Sequence, residues 1–298
     1  MRKATSVSIR VISDILCFVV LFLAMGVFQN IQPFRRGYFS QDESIRLPYH
    51  PSTIPSVVLI SVTITLIVVT ITASELCIFW DRLTVRRAGL PIVLYSLYDY
   101  LLAAFFGYCA NITITDVCKV AIGRLRPNFF SVCEPVPTST TALGYIASYS
   151  CKSGTPRDHR DITKSFPSGH SSLSVYTAVF LCIYLQMRQP PWRNAALRLA
   201  FQAVFLALAI VTCISRIVDN KHHPTDVIAG AALGLVVAFS VPFYVPKLFC
   251  PPVNHSCLCG LMNYHDRSIV KRQRMAVNSF HSSYVQKIPK WTHQTTLV

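Results

Sequence analysis

The chain has 298 residues, of which 52% are hydrophobic and 14% are charged, and its mean hydropathy is +0.43. This composition is typical of an integral membrane protein and excludes an ordinary soluble domain. The formal net charge of +15 comes from basic residues scattered between apolar runs, which favours attraction to anionic inner-leaflet lipid over nucleic-acid binding.

Six apolar runs are each long enough to cross a bilayer. We therefore predict an all-α integral membrane protein, a six-transmembrane-helix bundle. Both ends are expected in the cytoplasm, because the short basic loops and the basic tail then lie inside. The predicted organisation is a cytoplasmic N-terminus (1–10), a six-span membrane domain (11–246) and a basic cytoplasmic tail (247–298). The runs lie near 11–31, 54–79, 91–117, 168–187, 195–214 and 227–245.

Some residues inside these runs are unusual for a lipid environment. Asp14 and Glu75 lie near cytoplasmic ends and are expected to reach toward the headgroups, whereas Asp99 is expected to face the bundle interior. The last run contains Gly230 and Gly234, a small-xxx-small seam. This seam indicates close helix packing within the bundle or, alternatively, a contact between two copies of the chain.

The three segments predicted outside are 32–53, 118–166 and 215–225. The first is polar and rich in proline, so it is interpreted as a connection between spans. The second contains Cys133 and Cys151, which an oxidising compartment would allow to form a disulfide. Closing that loop would stabilise the fold by roughly 3 kcal/mol.

The third run leads into a basic stretch, GRLRP. Lys119 and Arg126 are seven residues apart, nearly two helical turns, so both can project from one face if the helix continues to Pro127. Arg124 would then point elsewhere and is interpreted as structural or interfacial. Taken alone, two cations above a membrane span are common.

The fourth run opens with SFPSGHSS. Pro, Ser and Gly in this order predict a helix start whose free amides can bind phosphate. Gly169 would let the backbone approach an anion closely, and His170 would project from the first turn into the same space. The alternative is an ordinary helix N-cap beside an incidental histidine.

The segment SRIVDNKHHPTD precedes the sixth run. Pro224 is expected to open a helix. His222 and Asp226 are four residues apart, so the carboxylate could hold the imidazole Nδ1–H and leave Nε2 free to attack. Arg216 offers a planar fork for phosphate oxygens. The alternative is a short solvated loop, and His223 is interpreted as structural.

Together, the three stretches have the pattern K-x6-RP, PSGH and SR-x5-H-x3-D, in that order and at boundaries facing the same side. This pattern resembles the signature of the type 2 phosphatidic acid phosphatase superfamily, in particular its animal lipid phosphate phosphatases. The resemblance extends from the first span to the sixth and leaves out the tail. It implies a catalytic membrane domain with an active site at the outer ends of helices 3, 4 and 6.

The chemistry of these residues and the resemblance agree on their roles. His222 would form a phosphohistidine, with Asp226 fixing its tautomer, and His170 would protonate the leaving alkoxide and then activate water. No cofactor is expected, and turnover without magnesium is predicted because the outer segments contain no paired-carboxylate metal motif. The expected phosphate-binding residues are Lys119, Arg126, Ser168, Gly169 and Arg216.

The resemblance implies a range of substrates, namely phosphatidate, lysophosphatidate, sphingosine 1-phosphate and ceramide 1-phosphate. It favours self-association and the plasma membrane with an extracellular site, while internal membranes with a luminal site remain open. A second hypothesis is a transporter or receptor that binds lipid phosphate without cleaving it. A third is another chemistry on the same scaffold, such as phosphotransfer between lipids or vanadate-dependent peroxidation.

Overall fold

The computed structural model describes residues 2–85, 90–140, 144–188 and 195–244. The predicted tail at 247–298 lies outside these residues. Within them the chain is mostly helical, with six long helices and two short ones. In chain order, the helices are α1 (Arg2–Asn30), α2 (Ser56–Val85), α3 (Leu90–Ile122), α4 (Phe129–Cys133), α5 (Pro156–Asp161), α6 (Gly169–Arg188), α7 (Ala195–Val218) and α8 (Pro224–Tyr244).

The long helices alternate in direction, so three of them end and three begin at one end of the bundle, called the upper end below. Hydrogen bonds between their connecting segments fix this arrangement. The Phe34 amide after α1 donates to the Val120 carbonyl of α3 at 2.9 Å, and the Thr53 amide before α2 donates to Asp219 after α7 at 2.8 Å. The upper end therefore gathers all three segments that were predicted to lie outside.

Helix α6 lies at the centre of the bundle and packs against α2, α3, α7 and α8. Its apolar side chains are buried along its length, and the Tyr176 hydroxyl donates to the Ala104 carbonyl of α3 at 2.6 Å. Much of the surface of this central helix is covered by other helices and does not face lipid. The helix can therefore contain small hydroxyl residues. Those residues are Ser171, Ser172, Ser174 and Thr177.

Five of the described helices are long and apolar enough to cross a membrane, which indicates a multi-pass membrane protein. They include the segments Ser8–Asn30, Ser56–Trp80, Val93–Ile122, Ala195–Val218 and Pro224–Pro242. Helix α6 is not one of the five, since its buried hydroxyl residues lower its apolar character. Its 20 residues nevertheless extend about 30 Å, the thickness of a hydrocarbon core.

The contact between α6 and α8 depends on the two glycines of the predicted seam. A Cβ atom added at Gly230 would collide with the Ser168 carbonyl oxygen, and one added at Gly234 would collide with that of Ser172. The seam is therefore used within the bundle, where it lets the two helix backbones approach closely.

The lower end of the bundle contains a buried ion pair that corrects one expectation. Glu75 does not reach toward the headgroups; its carboxylate accepts hydrogen bonds from Arg188 Nε at 2.6 Å and from the Tyr184 hydroxyl at 3.0 Å. Because the charge is paired and hydrogen-bonded, its burial is tolerated. Asp99 is buried as expected and accepts a hydrogen bond from Arg10 at 2.8 Å.

A small antiparallel sheet at the upper end was missed by the all-α prediction. In the described residues its strands are β1 (Tyr38–Phe39), β2 (Pro135–Thr140) and β3 (Tyr145–Cys151), in the order β1-β3-β2. The first outer segment is therefore part of a folded cap rather than a plain connection. The structure joins Cys133 and Cys151 by a disulfide, and Phe129 packs against Tyr38 and Tyr149 beside it.

We expect Gly230→Ala and Gly234→Ala each to destabilise the protein by about 1–3 kcal/mol, because the added methyl group overpacks the contact between α6 and α8. The measurement is the midpoint of thermal unfolding in detergent. Gly26→Ala in α1 is the matched control, since a Cβ there meets no atom within 4 Å. Unchanged midpoints in both seam variants would contradict the close approach of the helices.

Candidate active site

His222 lies in the five-residue connection between α7 and α8 and is 4% exposed. Its backbone amide donates to the Arg216 carbonyl at 3.2 Å, which folds the connection back on the end of α7. Its ring Nδ1 lies 2.7 Å from the Ser165 carbonyl oxygen. Because a carbonyl oxygen only accepts, Nδ1 carries the proton and Nε2 keeps its lone pair.

Asp226 does not form the hydrogen bond to His222 that its spacing predicted. Its Oδ2 is 3.9 Å from Nδ1, beyond hydrogen-bonding distance, and instead accepts from the Ser165 hydroxyl at 2.6 Å. The same carboxylate caps the start of α8 through the His223 amide at 3.0 Å and pairs with Arg124 at 2.6 Å. Ser165 therefore bridges the two residues, with its hydroxyl on the Asp226 carboxylate and its carbonyl on the His222 ring.

The environment of His222 keeps its ring neutral. Burial lowers the pKa of His222 below its ordinary value, and the positive charges of Arg126 and Lys119 lower this pKa further. A neutral ring at pH 7 keeps the Nε2 lone pair available.

Arg216, at the end of α7, is 1% exposed and is held in a fixed orientation. Its guanidinium donates to Asp219 Oδ2 at 2.8 Å and, through Nε, to the Ser215 hydroxyl at 3.1 Å. Asp219 in turn accepts from the Thr53 hydroxyl at 2.6 Å and from the Thr53 amide. The carboxylate thus joins the end of α7 to the segment before α2.

His170, on the first turn of α6, is held by the neighbouring residue of that same segment. Its Nε2 lies 3.1 Å from the Ile54 carbonyl oxygen. This nitrogen must donate, so Nδ1 is the ring atom left to exchange a proton with a bound molecule. Through Ile54, Thr53 and Asp219, the orientation of His170 is linked to that of Arg216.

Lys119 and Arg126 reach the same region by a different route from the one predicted. Helix α3 ends at Ile122, because Gly123 adopts a positive φ of 59° and its missing Cβ makes room for the Phe34 carbonyl. Arg126 therefore lies in a loop and not on the helix face of Lys119. The Nη2 atom of its guanidinium donates to Asp161 Oδ1 at 2.7 Å.

Ser168 and Gly169 form the predicted helix start. The Ser168 hydroxyl caps α6 by accepting from the Ser171 amide at 3.4 Å, and it also accepts from the Ser171 hydroxyl at 2.9 Å. The Ser168 amide donates to the Asp226 carbonyl at 3.0 Å. A methyl group on Gly169 would meet Lys119 Nζ at 3.1 Å. The ammonium group therefore lies directly beside the amide end of α6, where an anion is favoured.

Two further residues were considered structural, and their contacts agree with this interpretation. His223 Nε2 lies 3.1 Å from the Leu125 carbonyl oxygen, which ties the α8 start to the loop after α3. Arg124 donates to the Thr225 hydroxyl as well as to Asp226. Both residues hold the start of α8 against the loop after α3.

The sequence analysis missed Asp219, Ser165 and Ile54. Asp219 had a readable signal, because it follows Arg216 by three residues, the spacing at which helix side chains pair. Ser165 and Ile54 act mainly through backbone carbonyls, which every residue type offers, so no sequence signal could have indicated them.

The site brings together two histidines, three cations and a helix start at the upper end of a membrane bundle. Residues 100–250 match the family model of the PAP2 superfamily. The chain belongs to this superfamily, as its motifs implied, and it is a phosphatase.

Its relatives include phospholipid phosphatases of mammals. The chain is 34% identical over 249 residues to phospholipid phosphatase 2 of Rattus norvegicus, covering 83% of this chain and 90% of that protein. It is 34% identical over 250 residues to phospholipid phosphatase 2 of Homo sapiens, covering 83% and 86%. It is 36% identical over 242 residues to phospholipid phosphatase 1 of Rattus norvegicus, covering 80% and 86%. No solved structure gives a significant match.

We expect Asp219→Asn to lower kcat/KM for phosphate release by about tenfold to a hundredfold, because Arg216 and the Thr53–Ile54 segment lose their common anchor. A raised inhibition constant for inorganic phosphate would distinguish this positioning role from simple destabilisation. Thr53→Val, which removes one of the two bonds to Asp219, should shift both values in the same direction by less. Glu43→Gln, at an exposed carboxylate, is the control. Wild-type kinetics in a folded Asp219→Asn protein would contradict the role.

Proposed function

We propose that the chain hydrolyses lipid phosphate monoesters through a phosphohistidine formed on His222. One observation carries the proposal: the Ser165 carbonyl accepts a hydrogen bond from Nδ1–H of His222, which leaves Nε2 unprotonated. Neutral imidazole of this tautomer is a nucleophile for phosphorus. A protein that only bound phosphate would gain nothing from a buried, neutral ring among cations.

In the first step, His222 Nε2 attacks phosphorus in line, and the bond between phosphorus and the lipid oxygen breaks. The negative charge of the bound phosphate would keep His170 protonated on both ring nitrogens, and His170 delivers the Nδ1 proton to the departing oxygen, so the lipid leaves as an alcohol. The Ser165 carbonyl keeps its hydrogen bond to Nδ1–H, and the ring becomes positively charged. The Asp226 charge, 3.9 Å away, stabilises that ring.

In the second step, water attacks the phosphohistidine. His170 Nδ1, now unprotonated, takes a proton from the water, and the bond between nitrogen and phosphorus breaks to release inorganic phosphate. The carbonyl of Ile54 keeps the His170 ring in one orientation through both steps. The two histidines then return to their starting protonation states.

The cations supply the charge stabilisation that phosphoryl transfer requires. Lys119, Arg126 and Arg216 would contact the equatorial oxygens, where charge develops in the transition state. Asp161 already holds the guanidinium of Arg126, and Asp219 holds that of Arg216, so these groups need little reorganisation. This donor set supports turnover without magnesium.

The substrate class follows from the position of the site and from the relatives, which are named phospholipid phosphatases. A phosphate headgroup can reach the upper end of the bundle while its acyl chains stay in the leaflet. We include phosphatidate, lysophosphatidate, sphingosine 1-phosphate and ceramide 1-phosphate in this class. Their hydrolysis would attenuate signalling by lipid phosphates.

The membrane arrangement is part of the proposal. Helix α6 would be the sixth span, since it runs about 30 Å from the upper end to the Glu75–Arg188 pair at the lower end. The upper end would face the cell exterior, where a disulfide is stable. We propose the plasma membrane as the site of action and self-association of the chain.

Purified protein in detergent with EDTA should release phosphate from phosphatidate. His222→Ala should abolish this release, because the substitution removes the nitrogen that bonds to phosphorus. When the reaction is quenched without acid, wild type but not the variant should yield a histidine-linked phosphate. His223→Ala is the control, because the neighbouring His223 ring hydrogen-bonds to the Leu125 carbonyl. This variant should still form the covalent intermediate. Full activity of His222→Ala would refute the mechanism.

A tag inserted after Thr140, at the end of β2 and within the segment closed by the Cys133–Cys151 disulfide, should be labelled on intact cells. This result is expected because the loop lies at the upper end, which we propose to be extracellular. Labelling that requires permeabilisation would overturn the plasma-membrane assignment with an exterior site. A tag placed at the N-terminus, before α1, is the control and should be labelled only after permeabilisation.

A further inference from the structure

A cavity of about 220 Å³ lies between α2, α6 and α7, below the upper end of the bundle. Its walls are almost entirely apolar, and α6 forms its floor. Val58 on α2 and Val211 on α7 line it and are exposed on the outer surface of the bundle. In a membrane, the cavity would therefore open sideways toward the lipid chains.

The cavity begins where the phosphate chemistry is proposed to occur. Ile54 lines its wall, and the carbonyl of the same residue holds His170. A molecule whose phosphate lies beside His170 can thus extend directly into the cavity past Ile54. This continuity distinguishes the cavity from an isolated packing defect.

The dimensions of the cavity fit one hydrocarbon chain. Leu181, at its deep end, is eleven residues beyond His170 on α6, about 16 Å along the helix axis at roughly 1.5 Å per residue. Half of a hydrocarbon core is about 15 Å. The volume exceeds that of a cavity that holds benzene, about 150 Å³, but falls short of drug-sized pockets, which begin at about 300 Å³.

We propose that one acyl chain of the substrate lies in this cavity during turnover, while a second chain, where present, remains in the bilayer. The inference rests on the proposed function and specifies how the lipid is positioned. Hydrocarbon gains little free energy by moving from lipid into a protein cavity, so the main effect is orientation of the phosphate toward His222. Single-chain and two-chain lipid phosphates can both be accommodated.

The test fills the cavity with an aromatic ring. Ala209 on α7 is buried and lines the cavity about 10 Å below Arg216, so Ala209→Phe should block a long chain and leave space for a short one. We expect kcat/KM for lysophosphatidate with a sixteen-carbon chain to fall about tenfold, and kcat/KM for the six-carbon analogue to change less than twofold. Ala207→Phe, on the exposed face of the same helix, is the matched control and should leave both values unchanged.

A second measurement is independent of catalysis. In a His222→Ala background, a sixteen-carbon lysophosphatidate with a photoreactive diazirine near the chain end should label residues of the cavity wall, such as Ala178 and Leu181. Adding Ala209→Phe should remove this labelling, and adding Ala207→Phe should not. Labelling spread over the outer surface, or unaffected by Ala209→Phe, would overturn the proposal even if the wild-type protein hydrolyses the lipid. Equal losses for both chain lengths would also overturn it.

Discussion

The close approach of α6 and α8 is the constraint on which the site depends. Gly230 and Gly234 allow the α8 backbone to touch the carbonyls of Ser168 and Ser172. At the upper end of this contact, the Ser168 amide donates to the Asp226 carbonyl, which joins the two histidine-bearing segments directly. A larger residue in the seam would separate His170 from His222, although it would touch neither ring.

The site residues are oriented largely by groups that do not contact substrate. Backbone carbonyls of Ser165 and Ile54 set the two imidazole tautomers, and the carboxylates of Asp161 and Asp219 hold the two arginines. Cations fixed in this way stabilise developing charge without reorganising, which is the main electrostatic advantage of an enzyme over water. The outer segments provide most of these supports, so the proposed catalysis depends on the folding of these segments as well as on the helices.

The sequence predicted the helical membrane bundle well, because long apolar runs and their bounding charges are direct physical signals. The sequence also predicted that His170, His222 and the cations lie in one site, because three short motifs contain them. The sequence prediction failed where a contact joins residues that are close in space but distant in the chain. The sheet that pairs Tyr38 with Ile146 has no alternating apolar pattern, Gly123 was not read as a helix end, and Asp226 bonds Ser165 rather than the nearby His222.

The central claim is that three distant segments form one pocket in which His222 faces phosphorus. An experimental structure with bound orthovanadate, a phosphate analogue that accepts imidazole as a ligand, tests it most directly. The account predicts vanadium bonded to His222 Nε2, with its oxygens contacted by Lys119, Arg126 and Arg216 and with His170 on the opposite side. Vanadate bound away from His222, or the two histidine rings too far apart to enclose it, would contradict the account.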